Sequence, residues 1–321
     1  MKKVRWGIVS TGRIAGQFAQ DFSAVKNAQL HAVAARNLDK AKQFAFAHNI
    51  TNAYSSYEAL FSDPNIHAVY IGTPHSLHYQ HARAALEAGK AVLCEKPLTV
   101  SVAECESLQA MARDNGVYLM EAMWTYFLPA LRKAKQWVDE GRIGNIKHIK
   151  ADFGYPQLPF DPKKREYDAD LAGGCLLEMG VYPVALAWLF MPQTPDDVQV
   201  ISRFAPNGVE DDLAIHFNYR DAVASLGTSF RCKLQNWAYI IGDEGYIAIP
   251  DFWRASECSL YVLDEQVDKF IDNRQEQGFC FEAQAVTDDL IAKRLESQTV
   301  SFADSLAFAR HMDLIRETFK R

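Results

Sequence analysis

From Val4 to Glu121 the chain alternates short β-branched runs with amphipathic segments, and few folds accommodate that rhythm. The strand-like runs are Val4–Ser10, Leu30–Ala35, Ala68–Gly72, Ala91–Cys94 and Val117–Glu121. The helical patterns between them are centred on Ile14–Val25, Leu38–His48, His75–Ala88 and Val102–Asn115. Strands separated by helical segments of roughly ten to fifteen residues must run parallel, because a crossover is needed to return the chain to the same sheet edge. Gly89 and Gly116 close two of the helices, as glycine commonly does at a helix C-terminus. The expectation is a doubly wound parallel sheet of Rossmann type over residues 1–122.

Past Trp124 the rhythm changes. A helix over about Pro129–Glu140 leads to an alternating strand, Lys147–Phe153. A Pro-containing stretch, Tyr155–Asp170, precedes Gly173-Gly174 and a helix from about Cys175 to Phe190. Strand-like segments follow at Val198–Phe204, Asp212–Tyr219, Val223–Phe230, Trp237–Ile241 and Tyr246–Pro250, and helices at Cys280–Glu296 and Phe302–Lys320 end the chain. Turns as short as Gly242–Gly245 imply a largely antiparallel sheet. Residues 123–321 therefore read as a second, α+β domain that binds substrate and mediates dimerisation, making the whole an α/β protein of two domains with a ligand cleft at their junction.

A net charge of -6 with 49% apolar residues excludes a polyanion-binding surface, so neither nucleic acid nor membrane is expected as a partner. The basic N-terminus (Lys2, Lys3, Arg5) precedes an apolar run too short for a signal peptide, and the longest apolar stretch, Val181–Met191, falls short of a bilayer span. The run Lys163-Lys164-Arg165 reads as a solvated turn, although Arg165, like Tyr167 and Trp188, could reach the cleft. Six scattered cysteines without metal-ligand spacing point to thiols in a cytoplasmic protein and to no metal site.

The turn from the first strand into the first helix carries Ser10, Thr11, Gly12, Arg13 and Ile14, with Ala15 following. Against the usual G-x-G-x-x-G/A pattern, Ser10 replaces the first glycine, while Gly12 keeps the backbone approach open for a pyrophosphate. The second strand ends at Arg36 instead of at a carboxylate. A planar guanidinium suits a 2′-phosphate, so NADP is expected in preference to NAD. Thr73-Pro74-His75 with His78, and Glu95-Lys96-Pro97, should fall at the carboxyl edge of the parallel sheet, where such folds bind ligands. Lys96, just past a buried strand and followed by proline, is expected to point into the cleft, its acidity raised by desolvation beside a cationic nicotinamide. Glu178 and Tyr182, one helical turn apart, share a face behind Gly173-Gly174, and a tyrosine close to a lysine can exchange a proton with a carbonyl or hydroxyl.

Those segments, with Leu119–Thr125, Gly173–Tyr182 and Phe281-Glu282-Ala283, resemble the Gfo/Idh/MocA oxidoreductase family almost end to end, and within it the dihydrodiol dehydrogenase branch. The resemblance implies that Lys96 is the lysine at the reacting carbon, that Glu95 lies near the nicotinamide ribose, and that Tyr182 is the acid/base. Glu178 stands where the family usually has Asp. Trp124, Phe153, Trp253 and Phe279 correspond to residues that wall the substrate pocket. The implied activity is hydride transfer between NADP(H) and a secondary alcohol or ketone of a sugar-like or dihydrodiol small molecule, by a homodimer or higher homo-oligomer. Two other readings stay open: a non-catalytic NADP(H) sensor of the same fold, and a biliverdin-reductase-like role without the Lys–Tyr pair.

Overall fold

The computed structural model describes residues 3–319; Lys2 of the basic N-terminus and the expected end of the last helix at Lys320 lie outside them. Two compact units divide the chain, one of residues 1–124 with 275–306, the other of 125–274 with 307–321.

In the first unit, β1 (Val4–Val9), α1 (Arg13–Asp21), β2 (Ala28–Ala34), α2 (Leu38–Ala47), β3 (Asn52–Tyr54), α3 (Tyr57–Phe61), β4 (Ala68–Ile71), α4 (His78–Glu87), β5 (Ala91–Glu95), α5 (Val102–Asn115) and β6 (Leu119–Ala122) follow one another. The strands form one parallel sheet in the order β3-β2-β1-β4-β5-β6. The order reverses between β1 and β4, the topological switch point where open sheets of this kind bind ligands beyond their carboxyl ends. Every residue of β4, β5 and β6 is buried, as expected for strands covered on both faces. Helix ends follow local chemistry. The Ser101 hydroxyl accepts the Glu104 N–H at 3.3 Å to open α5, and Gly116, at φ 63°, closes it in the left-handed conformation. β3 escaped the sequence reading because it is a three-residue edge strand with no buried residue to mark it.

The second unit comprises α6 (Pro129–Asp139), β7 (Ile146–Gly154), α7 (Val181–Phe190) and the strands β8 (Asp197–Phe204), β9 (Glu210–Asn218), β10 (Val223–Ser229), β11 (Ala238–Gly242), β12 (Tyr246–Ile249), β13 (Glu257–Val262) and β14 (Glu265–Ile271). They form an eight-stranded sheet, order β14-β13-β12-β11-β7-β10-β9-β8, in which β7 and β10 pair in parallel and all other neighbours are antiparallel. α6 and α7 pack against this sheet. Along β9 exposed Ala214, His216 and Asn218 alternate with buried Leu213, Ile215 and Phe217, so one face is core and the other open. β13 and β14 were not anticipated; β14 is an edge strand whose charged residues obscure any alternation. The run 169–190 is long and apolar enough to cross a membrane, yet 78% of its most apolar window is buried inside the protein, as in a core helix.

The last part of the chain departs from the expectation that everything after 122 belongs to the second domain. Helix α8 (Phe279–Ile291) and the start of α9 (Phe302–Thr318) belong to the first unit. The cause is a cap: the carboxylate of Asp21, at the end of α1, accepts the N–H groups of Gln277, Gly278 and Phe279 at 3.0, 2.7 and 2.9 Å. These are the otherwise orphaned donors at the α8 N-terminus. Tyr118 donates to Asp289 at 2.9 Å, and Gln109 to the Phe302 carbonyl at 2.7 Å, fastening the same segment to β6 and α5.

Candidate active site

The nucleotide side begins where β1 ends. Ser10 adopts φ 121°, a conformation that favours glycine, and its Oγ accepts the Gly12 N–H at 3.0 Å. Gly12 opens α1 without a side-chain cap, and the first turn carries no acidic residue, so the positive end of the helix is left to a ligand of negative charge. Thr11 is half-buried and Arg13 exposed, and Ile14 lies where a Cβ on Gly72 would come within 3.2 Å of it. These residues fit a pyrophosphate.

At the end of β2, Asn37 caps α2 by accepting the Lys40 N–H at 3.1 Å. The residue before it, Arg36, is exposed and close enough to Tyr57 and His81 for its charge to favour the phenolate of the former and the neutral form of the latter. Burial is the larger influence on both, raising the tyrosine and lowering the histidine pKa.

The loops after β4 and β5 are tied together by one side chain. His78 is fully buried; its Nδ1 lies 2.7 Å from the Pro97 carbonyl and its Nε2 2.8 Å from the Thr73 carbonyl. Burial, helped by the charge of Lys96, pushes its pKa down to about 4 against the pull of the two carbonyls. The ring is therefore neutral at pH 7 and donates to one carbonyl at a time. His78 thus enters the site as a brace, its ring nitrogens committed to backbone. The Thr73 hydroxyl meets His81 Nδ1 at 3.0 Å, Pro74 is half-buried, and His75 packs edge-on to His78.

Lys96 follows the last residue of β5, is 8% exposed and precedes a cis peptide to Pro97. Glu121, on the neighbouring strand β6, is 2% exposed and accepts the Leu98 N–H at 3.0 Å. Burial raises its pKa to about 7, opposed by hydrogen bonds from Ser305 and Leu98 and by the charge of Lys96. Glu95 is buried and accepts the Tyr70 hydroxyl at 2.5 Å. Sequence reasoning passed over Glu121 and Tyr70; a lone acid inside the apolar run Leu119–Ala122 was the available signal. Trp124 and Phe279 stack at 4.5 Å.

In the second unit, Phe153 lies at the end of β7, stacked on Trp253 at 4.7 Å and edge-on to Tyr182 at 5.4 Å. Tyr182 is 7% exposed and begins α7. Glu178 precedes it in a π-helical turn, Leu176–Gly180, of the kind often found at functional positions. Its carboxylate accepts Arg165 Nη2 at 2.6 Å. The basic run read as a solvated turn therefore contributes an ion-pair partner to the predicted site, and that partner is Arg165, which the sequence reading allowed to reach the cleft without giving it a role. The four aromatic residues fall into two stacked pairs, Trp124–Phe279 in the first unit and Phe153–Trp253 in the second. Among the described residues no three His, Cys, Asp or Glu side chains gather as a metal site, and the six cysteines are thiols.

Comparison with known proteins matches residues 4–123 to the oxidoreductase family with an NAD-binding Rossmann fold and residues 131–248 to the GFO/IDH/MocA C-terminal domain. The chain is 36% identical to trans-1,2-dihydrobenzene-1,2-diol dehydrogenase of Mus musculus, covering 98% of this chain and 96% of that one, and 35% identical to the Homo sapiens enzyme of that name over the same shares. Among solved structures, a 3-ketoreductase from Actinomadura kijaniata in complex with NADP and TDP-benzene superposes with a TM-score of 0.86 at 27% identity, covering 98% of this chain and 97% of that chain. An aldose-aldose oxidoreductase from Caulobacter crescentus shares the fold, with a TM-score of 0.90 at 22% identity, covering 99% and 98%.

Proposed function

Because this chain belongs to the Gfo/Idh/MocA oxidoreductase family, we propose that it is an NADP(H)-dependent enzyme acting on CH–OH groups, exchanging a hydride with a secondary alcohol or ketone of a sugar-like or dihydrodiol substrate. The observation that carries this reading is Lys96, buried at the carboxyl edge of the parallel sheet, with the loop behind it held by His78. The dinucleotide would be held by Ser10, Thr11, Gly12, Arg13 and Ile14 at its pyrophosphate, by Arg36 at the adenosine 2′-phosphate, and by Thr73, Pro74, His75, Glu95 and Lys96 toward the nicotinamide. When bound, it supplies the hydride donor or acceptor.

Tyr182 gives a proton to the carbonyl oxygen during reduction and takes it from the hydroxyl during oxidation. Lys96 places a positive charge at that oxygen as negative charge develops there, which is worth most where water is excluded. Glu178, held by Arg165, fixes the turn that leads into Tyr182. Phe153 and Trp253, with Trp124 and Phe279, offer flat apolar faces that suit a dihydrodiol ring or the apolar face of a sugar. The open sheet face of the second unit supports assembly as a homodimer, and the thiol state of the cysteines supports a cytoplasmic location.

The test is a panel of ketoses, osones and dihydrodiols followed by absorbance with NADPH or NADP⁺. Turnover with at least one member, lost by orders of magnitude in Lys96→Met while NADPH still binds, is the expected result. NADPH binding without turnover on any member favours the sensor reading, and unchanged turnover in Lys96→Met removes the lysine from the mechanism.

A further inference from the structure

Glu282, in the first turn of α8, is the most deeply buried acid that the mechanism above does not use. Its exposure is 0%, and neither carboxyl oxygen has a hydrogen-bond partner among the described residues. It belongs to a particular layer of the first unit. Ile8 pairs with Tyr70, and Tyr70 with Leu93, two residues before Glu95. By strand alternation Trp6, Tyr70 and Glu95 therefore project to one face of the sheet. Phe18 of α1 stacks on Tyr70 at 3.8 Å and contacts Trp6 on that face, and α8 packs against both α1 and β1.

Two carboxyl groups thus share a desolvated layer. The Glu95 carboxylate has a donor, the Tyr70 hydroxyl at 2.5 Å, and lies at the strand end with 6% exposure; Glu282 has neither advantage. Other acidic groups around it are spoken for. Asp21 caps α8 with its carboxylate, and Cys94 and Tyr70 stay protonated because burial pushes both well up. Among the described residues the one charge whose field shifts Glu282 is that of Glu95, and it acts with the larger effect of burial to favour the acid form.

We propose that Glu282 is a positioning residue: a carboxylic acid kept protonated in the folded protein, which packs the Tyr70–Glu95 pair so that the cluster carries a single negative charge and the Glu95-Lys96-Pro97 loop is fixed at the sheet edge. An ionised Glu282 would set two negative charges against each other beneath that loop; a shorter, branched apolar side chain would stay neutral but change the shape against which the pair packs. The effect on turnover rests on the reading that Lys96 acts at the reacting carbon, whereas the protonation state does not.

Infrared difference spectra of the cofactor-free protein at pH 7, with and without Glu282→Gln, test the protonation state. The wild type should show more protonated-carboxyl C=O absorption than the variant, over and above the share from Glu121 that both proteins carry; equal absorption in that region overturns the proposal. Positioning is tested by the emission of bound NADPH and by kcat. Glu282→Leu, folded with an unchanged or higher Tm, should shift the emission and lower kcat by roughly tenfold, since small misplacements of a reacting group are costly. Glu282→Gln should recover most of both. Wild-type emission and kcat in Glu282→Leu would reduce Glu282 to a space-filling role. The infrared and emission arms need no substrate, so they judge Glu282 separately from the substrate assignment.

Discussion

Replacing Glu121 with Gln should remove a pH dependence from the stability of the protein. The carboxyl ionises near 4.5 when exposed in the unfolded chain, and burial raises it to about 7 in the fold. Between those values the folded state holds a proton that the unfolded state has released, so stability falls as pH rises, and the loss is complete above the folded value. A displacement from 4.5 to about 7 corresponds to roughly 3 kcal/mol at about 1.4 kcal/mol per pH unit. Glu121→Gln keeps the shape and a carbonyl for the Leu98 N–H but cannot ionise. Urea unfolding of both proteins at pH 4, 5, 6, 7 and 8 isolates the effect, because other titrating groups cancel in the difference. The variant should gain on the wild type by roughly 3 kcal/mol between pH 4 and pH 8, most of it between about 4.5 and 7. A constant difference across the range would refute the reasoning, since it would mean that Glu121 ionises alike in both states.

Arg36→Ala should weaken NADPH binding by roughly tenfold or more while barely changing NADH, because only the former offers a phosphate to the guanidinium; parallel fluorescence titrations check this, and equal losses would count against the 2′-phosphate role. His78→Leu should lower stability by roughly 2 kcal/mol, the cost of leaving a buried carbonyl without its donor, and should weaken NADPH binding because the Thr73 and Pro97 loops lose their tie. Thermal unfolding beside the same titration reads both effects, and a stable variant with normal affinity would show that the brace is dispensable.

The parallel sheet was legible because its central strands are buried on both faces and therefore written as unbroken apolar runs, with Gly89 and Gly116 marking helix ends. Edges were not. β3 and β14 bury too little to imprint a pattern on their residues. The return of α8 to the first unit depends on Asp21 meeting backbone groups more than 250 positions away, a relation that periodicity does not carry. Of the candidate site residues, Lys96 and Tyr182 stood out through motifs, whereas Arg165 lay in a basic run and Glu121 and Glu282 in apolar ones. The last two were signalled in a form that was overlooked: a single acid in an otherwise buried segment must be neutral, paired or functional.

The claim on which the account depends is that Lys96 and Tyr182 serve one proton-and-hydride exchange, and a double-mutant cycle on single-turnover NADPH oxidation measures it. Residues that act as a unit are strongly non-additive, so Lys96→Met and Tyr182→Phe should each slow the reaction by orders of magnitude, with the double variant little slower than the worse single one. Losses that multiply in the double variant, or a Tyr182→Phe enzyme as fast as the wild type, would contradict it.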